Sequence, residues 1–457
     1  MGPRPRAGTA EGRARRRGFR GRPRGIVLLS AVLAVAILGC GVTPSSPGTS
    51  GTAAESGTHP SPSSLGGAAV PAGPSATPSP GLDTRPDPTP GLDARLSAAL
   101  LRLRSVDHLP GVQAVVGYAG GWTWSGHAGF ADLATRQPVS AMTLFDVGSI
   151  TKTFVAALTL QLTGQGVLGL EDPVSRWLPG VTGNPGATIR ELLDHTSGID
   201  DPFAHASLLD ALGAHPREAW TPARVLRHVG RPHFAPGKGW YYSNANYLLL
   251  GQIIQRATGQ SVATLVRQRF LDPLGLSHTF LQGQEPVVGV AAQGYDAAAS
   301  TTWALTDLSD GSPFLPFTSL ATALGTAGAV VSTAGDLSRW AQALYGGRVL
   351  PPSALNQMLD FGLTRGLRPR WPYGLGVQEV TFRGQVSWGH SGLLSGYHAA
   401  MRYFPATGLT IVVLVNDDTT NPDTLVAALL DAVDAPGAAP APGSAGPEPS
   451  PSASVRP

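Results

Sequence analysis

Segments with strand character lie near both ends of the stretch 92–433, and helix and loop fill what lies between. Residues 112–118 and 122–130 read as a hairpin around Gly120-Gly121. Residues 376–380, 386–388, 398–404 and 409–415 read as strands, the last two joined by the turn Pro405-Ala406-Thr407-Gly408. A chain with strands at its two ends closes most simply into one antiparallel sheet to which both ends contribute. Leu92, Leu96, Ala99, Leu100 and Leu103 make a helical stripe before it, and Asn421-Pro422 opens a closing helix that runs to about Val433. The expected fold is α/β of the α+β kind: an antiparallel sheet flanked by terminal helices, plus a mostly helical second lobe over about 170–340, within a domain spanning 92–434. A cleft between two lobes is the default place for a site.

The flanks do not read as parts of that core. Residues 1–39 carry nine Arg and one Glu, so they supply +8 to a chain whose formal net charge is +3, and the remainder stands at −5. No basic surface for nucleic acid is expected from such a remainder. An Arg-dense start followed by the apolar run 26–38 has the layout of a signal peptide. Its end, Ile37-Leu38-Gly39-Cys40, resembles a bacterial lipobox, in which the cysteine takes lipid and becomes the new N-terminus. The other reading is an uncleaved anchor, since 26–42 falls only just short of a span. Arg16-Arg17-Gly18-Phe19 resembles a twin-Arg export signal. Either way the Arg cluster stays inside, and the folded part is expected on the outer face of the membrane, held there by Cys40 or by the anchor. Residues 40–91 and 435–457 are rich in Pro, Ser, Gly and Ala and are expected to be a disordered tether and tail. As a coil the tether would span roughly 40 Å.

Three short motifs carry chemistry. Of 33 basic residues only Lys152 and Lys238 are lysines. A lysine kept in so Arg-biased a chain marks a position where a removable proton matters, because Arg stays charged at any working pH. Ser149-Ile150-Thr151-Lys152 opens a helix read over 149–164, and positions i and i+3 share a helix face. Lys152 can therefore reach the Ser149 hydroxyl, which is a poor nucleophile until a base takes its proton. That base must be neutral, which means lowering its pKa from about 10.4 to near 7, about 4 kcal/mol of burial and charge effects. Tyr242-Ser243-Asn244 supplies a phenol that can relay a proton and a side-chain amide that can bind a substrate amide. Trp388-Gly389-His390-Ser391-Gly392 ends a predicted strand, where glycine lets a substrate backbone lie close.

Taken together, S-x-x-K, Y-S-N and H-x-G in that order resemble the serine β-lactamase and penicillin-binding superfamily, whose signatures are S-x-x-K, S-x-N and K-T-G. The tyrosine of the second motif resembles the class C branch with its DD-peptidase and esterase relatives. Leu192-Leu193-Asp194-His195-Thr196-Ser197-Gly198, Val331-Ser332-Thr333-Ala334-Gly335-Asp336-Leu337 and Tyr373-Gly374-Leu375-Gly376 resemble that branch too. The resemblance implies a β-lactamase/DD-peptidase-like fold with Ser149 as the acylated nucleophile and Lys152 and Tyr242 sharing base and acid work. It implies Asn244 binding a substrate amide, His390 and Gly392 lining the binding strand, and the N–H groups of Ser149 and Leu393 forming an oxyanion hole. His390 departs from the lysine of K-T-G and offers no permanent charge near pH 7, which shifts the expectation away from an efficient β-lactamase. The expected activity is that of an exported D-alanyl-D-alanine carboxypeptidase-like or β-lactamase-related hydrolase acting on a peptide, β-lactam or ester. The alternatives are an esterase or a degenerate cell-wall-binding protein. His195, His205 and His215 match no compact metal-ligand spacing, and no metal or cofactor is expected. No G-x-S-x-G surrounds Ser149 or Ser391, which argues against an α/β-hydrolase.

Overall fold

The computed structural model describes Gly2 and residues 91–181, 183–296, 306–367, 369 and 371–435. The expected signal peptide, Cys40, the tether through residue 90 and the tail from residue 436 lie outside the described residues, Gly2 apart. Among the described residues no helix is long and apolar enough to cross a membrane.

Seven strands make the main sheet: β1 (Gly111–Tyr118), β2 (Thr123–Asp132), β3 (Gln137–Pro138), β4 (Gln378–Phe382), β5 (Gln385–Leu394), β6 (Tyr397–Phe404) and β7 (Leu409–Val415). Their spatial order is β3-β2-β1-β7-β6-β5-β4, and neighbours run antiparallel. The central pair joins the two ends of the domain, with Val112 opposite Val415 and Tyr118 opposite Leu409. The two-residue period of a strand then sorts the side chains. Ile411, Val413 and Val415 face α1 (Leu92–Val106) and the closing helix Pro422–Asp434, where Leu92, Leu96, Leu100, Leu425 and Leu429 complete one core. Val412 and Leu414 face the other way, into a larger core shared with the middle of the chain. Asn421 caps the closing helix through Asp423 N–H at 3.0 Å, with Pro422 in its first turn.

Three differences from the sequence reading matter for the site. The helix read from 149 begins as a 3-10 turn, Gly148–Ile150, and becomes α2 at Thr151–Gly164. The strand read as 386–388 extends through the whole third motif to Leu394, so that motif lies within a strand and not at its end. The helix Ala334–Tyr345, which a lobe boundary near 340 would cut, packs on β1 and β7 and carries the buried Leu337, Ala341 and Leu344, while its Trp340 stacks on Phe154 of α2. The middle of the chain is otherwise helical as expected. It also carries a small sheet of Phe145–Asp146, Val330–Ser332 and Phe280–Leu281 that delivers the chain to Ser149.

Candidate active site

The chain leaves Phe145–Asp146, is held by Val147 N–H on Val330 O at 3.0 Å, and turns sharply at Gly148, whose φ is +50°. Asp146 Oδ1 accepts the Gly148 N–H at 2.7 Å, and Thr151 Oγ1 donates to Gly148 O at 2.6 Å. Those bonds fix the turn that presents Ser149, half-buried, at the start of α2. β5 lies hard against the same turn. A Cβ on Gly392 would collide with Val147 O, and one on Gly148 would stand 3.0 Å from Leu393 N. Bare glycines on both sides bring the Leu393 amide beside the turn that carries Ser149, the pairing from which an oxyanion hole is made. β4 pairs with β5 only as far as Gly389, which leaves the far part of the β5 edge without a strand partner among the described residues.

Lys152 is fully buried in the first turn of α2. Its Nζ lies 3.0 Å from Ser149 Oγ, 2.9 Å from Asn244 Oδ1 and 2.7 Å from Ala327 O. Ala327 lies near the end of the helix Thr318–Gly328, where carbonyls lack partners within the helix. Two of the three neighbours are carbonyl oxygens and can only accept. A neutral amine has two N–H groups and one lone pair, so with both carbonyls satisfied the lone pair is left facing Ser149 Oγ. Burial brings the Lys152 pKa down to about 7, opposed by the charge of Asp201. The neutral amine is thus well populated at neutral pH.

Tyr242 donates to Ser149 Oγ from the other side at 2.7 Å. Burial, offset by the Ser149 bond and reinforced by Asp201, pushes its phenol well above the usual range, so it is a proton donor at rest. The Lys152 ammonium, when formed, would sit 4.8 Å from the centroid of the Tyr242 ring. The loop carrying Tyr242 is clamped by the Leu192–Gly198 stretch. Tyr241 N–H donates to His195 O at 3.0 Å, and Ser243 N–H and Asn246 Nδ2 donate to His195 Nδ1 at 3.2 and 3.1 Å. Two donors on Nδ1 place the His195 proton on Nε2, and burial first, then Lys152 and His390, holds the ring neutral. His195 thereby builds the site without joining its chemistry, its ring 4.2 Å from that of Tyr242.

The structure brings Ser149, Lys152, Tyr242 and Asn244 together, and it places Gly392 and Leu393 against the turn that presents Ser149. Two expected binding groups have their polar atoms engaged within the protein. Asn244 has no free end: Oδ1 meets Lys152, and Nδ2 donates to Asp201 Oδ2 at 3.0 Å. His390 is buried, with Nδ1 on Ser391 O at 2.6 Å and Nε2 on Tyr373 OH at 2.9 Å. Burial first, then the charges of Lys152 and Arg402, keep its pKa well below the usual value, so it offers no charge to a substrate. Asp201, Tyr373 and the Ala327 carbonyl are site groups that sequence reasoning missed. Asp201 lies three residues after the quoted Leu192–Gly198 stretch, yet nothing local says which of Asp200 and Asp201 turns inward. Of the histidines, His205 bonds Asp200 Oδ2 at 2.6 Å, and His233 bonds the other oxygen of the same carboxylate at 2.9 Å.

A serine between a buried lysine and a tyrosine, on an antiparallel sheet with a helical lobe, defines a serine hydrolase of the penicillin-binding and β-lactamase class. Comparison with known proteins agrees. Residues 98–435 match the family described as Beta-lactamase, and the chain belongs to that family. It is 29% identical over 309 residues to a penicillin-binding protein of Bacillus subtilis (strain 168), a match covering 64% of this chain and 64% of that protein. It is 28% identical over 291 residues to a D-aminopeptidase of Brucella anthropi, covering 63% of this chain and 52% of the relative. The match thus spans less than two thirds of either relative. A solved D-stereospecific amidohydrolase from Streptomyces sp. superposes with a TM-score of 0.63 at 30% identity, over 76% of this chain and 99% of that one.

Proposed function

We propose that this protein forms an acyl-enzyme on Ser149 and hydrolyses the amide bond that follows a D-amino acid residue, outside the cytoplasmic membrane. The observation that carries the chemistry is Ser149 Oγ held between Lys152 Nζ at 3.0 Å and Tyr242 OH at 2.7 Å. Neutral Lys152 takes the Ser149 proton as Oγ bonds to the carbonyl carbon. The N–H groups of Ser149 and Leu393 receive the developing oxyanion, each such donor being worth about 3–4 kcal/mol. The C–N bond then breaks as Tyr242 gives its proton to the leaving nitrogen, and the new ammonium of Lys152 supports the phenolate. Water attacks the ester in the reverse sense, Tyr242 recovering a proton from it and Lys152 returning its own to Ser149 as Oγ leaves.

The pH dependence follows with a definite sign. Only neutral Lys152 can act as base, so kcat/KM should rise with pH through a midpoint near 7. The phenol of Tyr242, displaced upward, should cause no loss before about pH 10. A profile that falls from pH 6 to 8 would contradict the assignment.

The D-aminoacyl substrate is supported by the amidohydrolase and the D-aminopeptidase among the relatives. A D-alanyl-D-alanine carboxypeptidase is the second reading, favoured by the penicillin-binding relative; against it stands His390, neutral and committed to Tyr373 and Ser391. A panel of a D-amino acid amide, its L-enantiomer, a D-Ala-D-Ala peptide, a nitrocefin-type β-lactam and p-nitrophenyl esters, compared by kcat/KM, decides. The D-amide should exceed its enantiomer by at least about tenfold. Equal rates for the two, or turnover of esters alone, would sink the substrate reading and leave the acyl-enzyme standing. The outer-face location is supported by the Arg-rich start, the apolar run 26–38 and Cys40. Cys40→Ala should move the protein from the membrane fraction to the supernatant if lipid holds it there; retention would favour an uncleaved anchor.

A further inference from the structure

The structure assigns to Asp201 the task of fixing the Asn244 amide with its oxygen toward Lys152, and so of leaving the amine lone pair for Ser149. This rests on the acyl-enzyme reading above and goes beyond it, since the buried Asp201 bonds Phe203 N–H and Asn244 and not Ser149. It is a positioning residue.

An asparagine amide is an acceptor at one end and a double donor at the other, and the two ends have nearly the same shape. Nothing in the Asn244 backbone decides which end faces Lys152. Asp201 does. It is fully buried, its Oδ1 accepts Phe203 N–H at 3.2 Å, and its Oδ2 stands 3.0 Å from Asn244 Nδ2. Burial raises the Asp201 pKa to about 6, so near pH 7 the carboxylate is mostly ionised, only accepts, and admits only the NH2 end of Asn244. Oδ1 must then face Lys152, where it is found at 2.9 Å. The reversed amide would set an N–H against Nζ. A neutral amine would answer with its lone pair, and Ser149 would lose its base.

The other groups facing Lys152 cannot substitute. Tyr242 and Tyr247 present ring faces 4.8 and 5.3 Å away. His195 and His390 are held neutral and bond elsewhere. Ala327 O supplies the second acceptor but has no hold on Asn244. Asp201 is also the charge that opposes the effect of burial on Lys152. Its removal therefore has two separable results: the amide loses its direction, and the amine holds its proton less well.

The test uses the full chain and a fluorophosphonate probe, which reads Ser149 reactivity whatever the natural substrate. Second-order labelling rates are measured from pH 5 to 10, with melting temperatures alongside. Asp201→Leu should lower the high-pH plateau by at least about tenfold and move the acid limb to lower pH. The double exchange Asp201→Asn with Asn244→Asp puts an obligatory acceptor beside Lys152 again and a negative charge in contact with it. Its plateau should recover to within about threefold of wild type, with the limb above the wild-type position. A purely structural role predicts no recovery and no movement of the limb. If Asp201→Leu fails to fold, the double exchange alone decides. Wild-type rates and limb in Asp201→Leu, or no recovery in a folded double exchange, would overturn the assignment. Failure of the wild type to label would instead bring down the acyl-enzyme reading itself.

Discussion

Ser149→Ala should show no covalent adduct with a fluorophosphonate or penicillin probe by intact mass, and hydrolysis should fall by on the order of 10^4 or more. The neighbouring serine and threonine hydroxyls are committed elsewhere. Ser391, the serine of the third motif, has its Oγ bonded by the Arg402 guanidinium, which is itself fully buried and tied to Asp423 at 3.0 Å. Thr151 and Thr153 spend their hydroxyls on Gly148 O and Ile150 O. Folding should survive, because the turn around residue 149 is built by Asp146 and Thr151 and not by the serine. The cost is a Tyr242 hydroxyl left without its acceptor, about 1–3 kcal/mol. An adduct of undiminished yield in this variant would place the nucleophile elsewhere.

Lys152→Arg is the second large effect, and it separates positive charge from basicity. Arginine keeps a cation and can donate to both carbonyls, but it does not give up its proton in any working range. The labelling rate of Ser149 should fall about 10^2- to 10^4-fold and stay low from pH 6 to 10, with no recovery on the alkaline side. Lys152→Ala should be as slow, so the two variants together show that the lost function is proton removal. A Lys152→Arg protein labelling at more than about a tenth of the wild-type rate would mean that another group is the base.

What could be read from the chain alone was what short-range pattern dictates. Leu92, Leu96 and Leu100 announced the first helix, the short apolar β-branched run 409–415 after a turn announced β7, and Asn421-Pro422 announced the last helix. Ser149 and Lys152 were legible because a three-residue spacing on a helical turn fixes their distance. Tyr242 needed the family resemblance, since nothing local brings residue 242 to residue 149. Asp201 and Ala327 O were beyond either route. Which of two consecutive aspartates faces Lys152 is decided by distant partners: His205 and His233 hold the buried Asp200 at 2.6 and 2.9 Å, leaving Asp201 for Asn244. A carbonyl near a helix end carries no side-chain signature at all. The third motif reads from sequence as the end of a strand, whereas the strand runs on through it to Leu394. In the fold the motif's glycines are what lets β5 pass so close to Val147 and Gly148.

The two outer helices lie together on the sheet face turned away from Ser149. A fusion partner, purification handle or solid support joined ahead of Leu92 or beyond Asp434 would therefore attach behind the molecule. An immobilised sample should keep its catalytic mouth open to the surrounding solution, whether grafted at Leu92 or at Asp434.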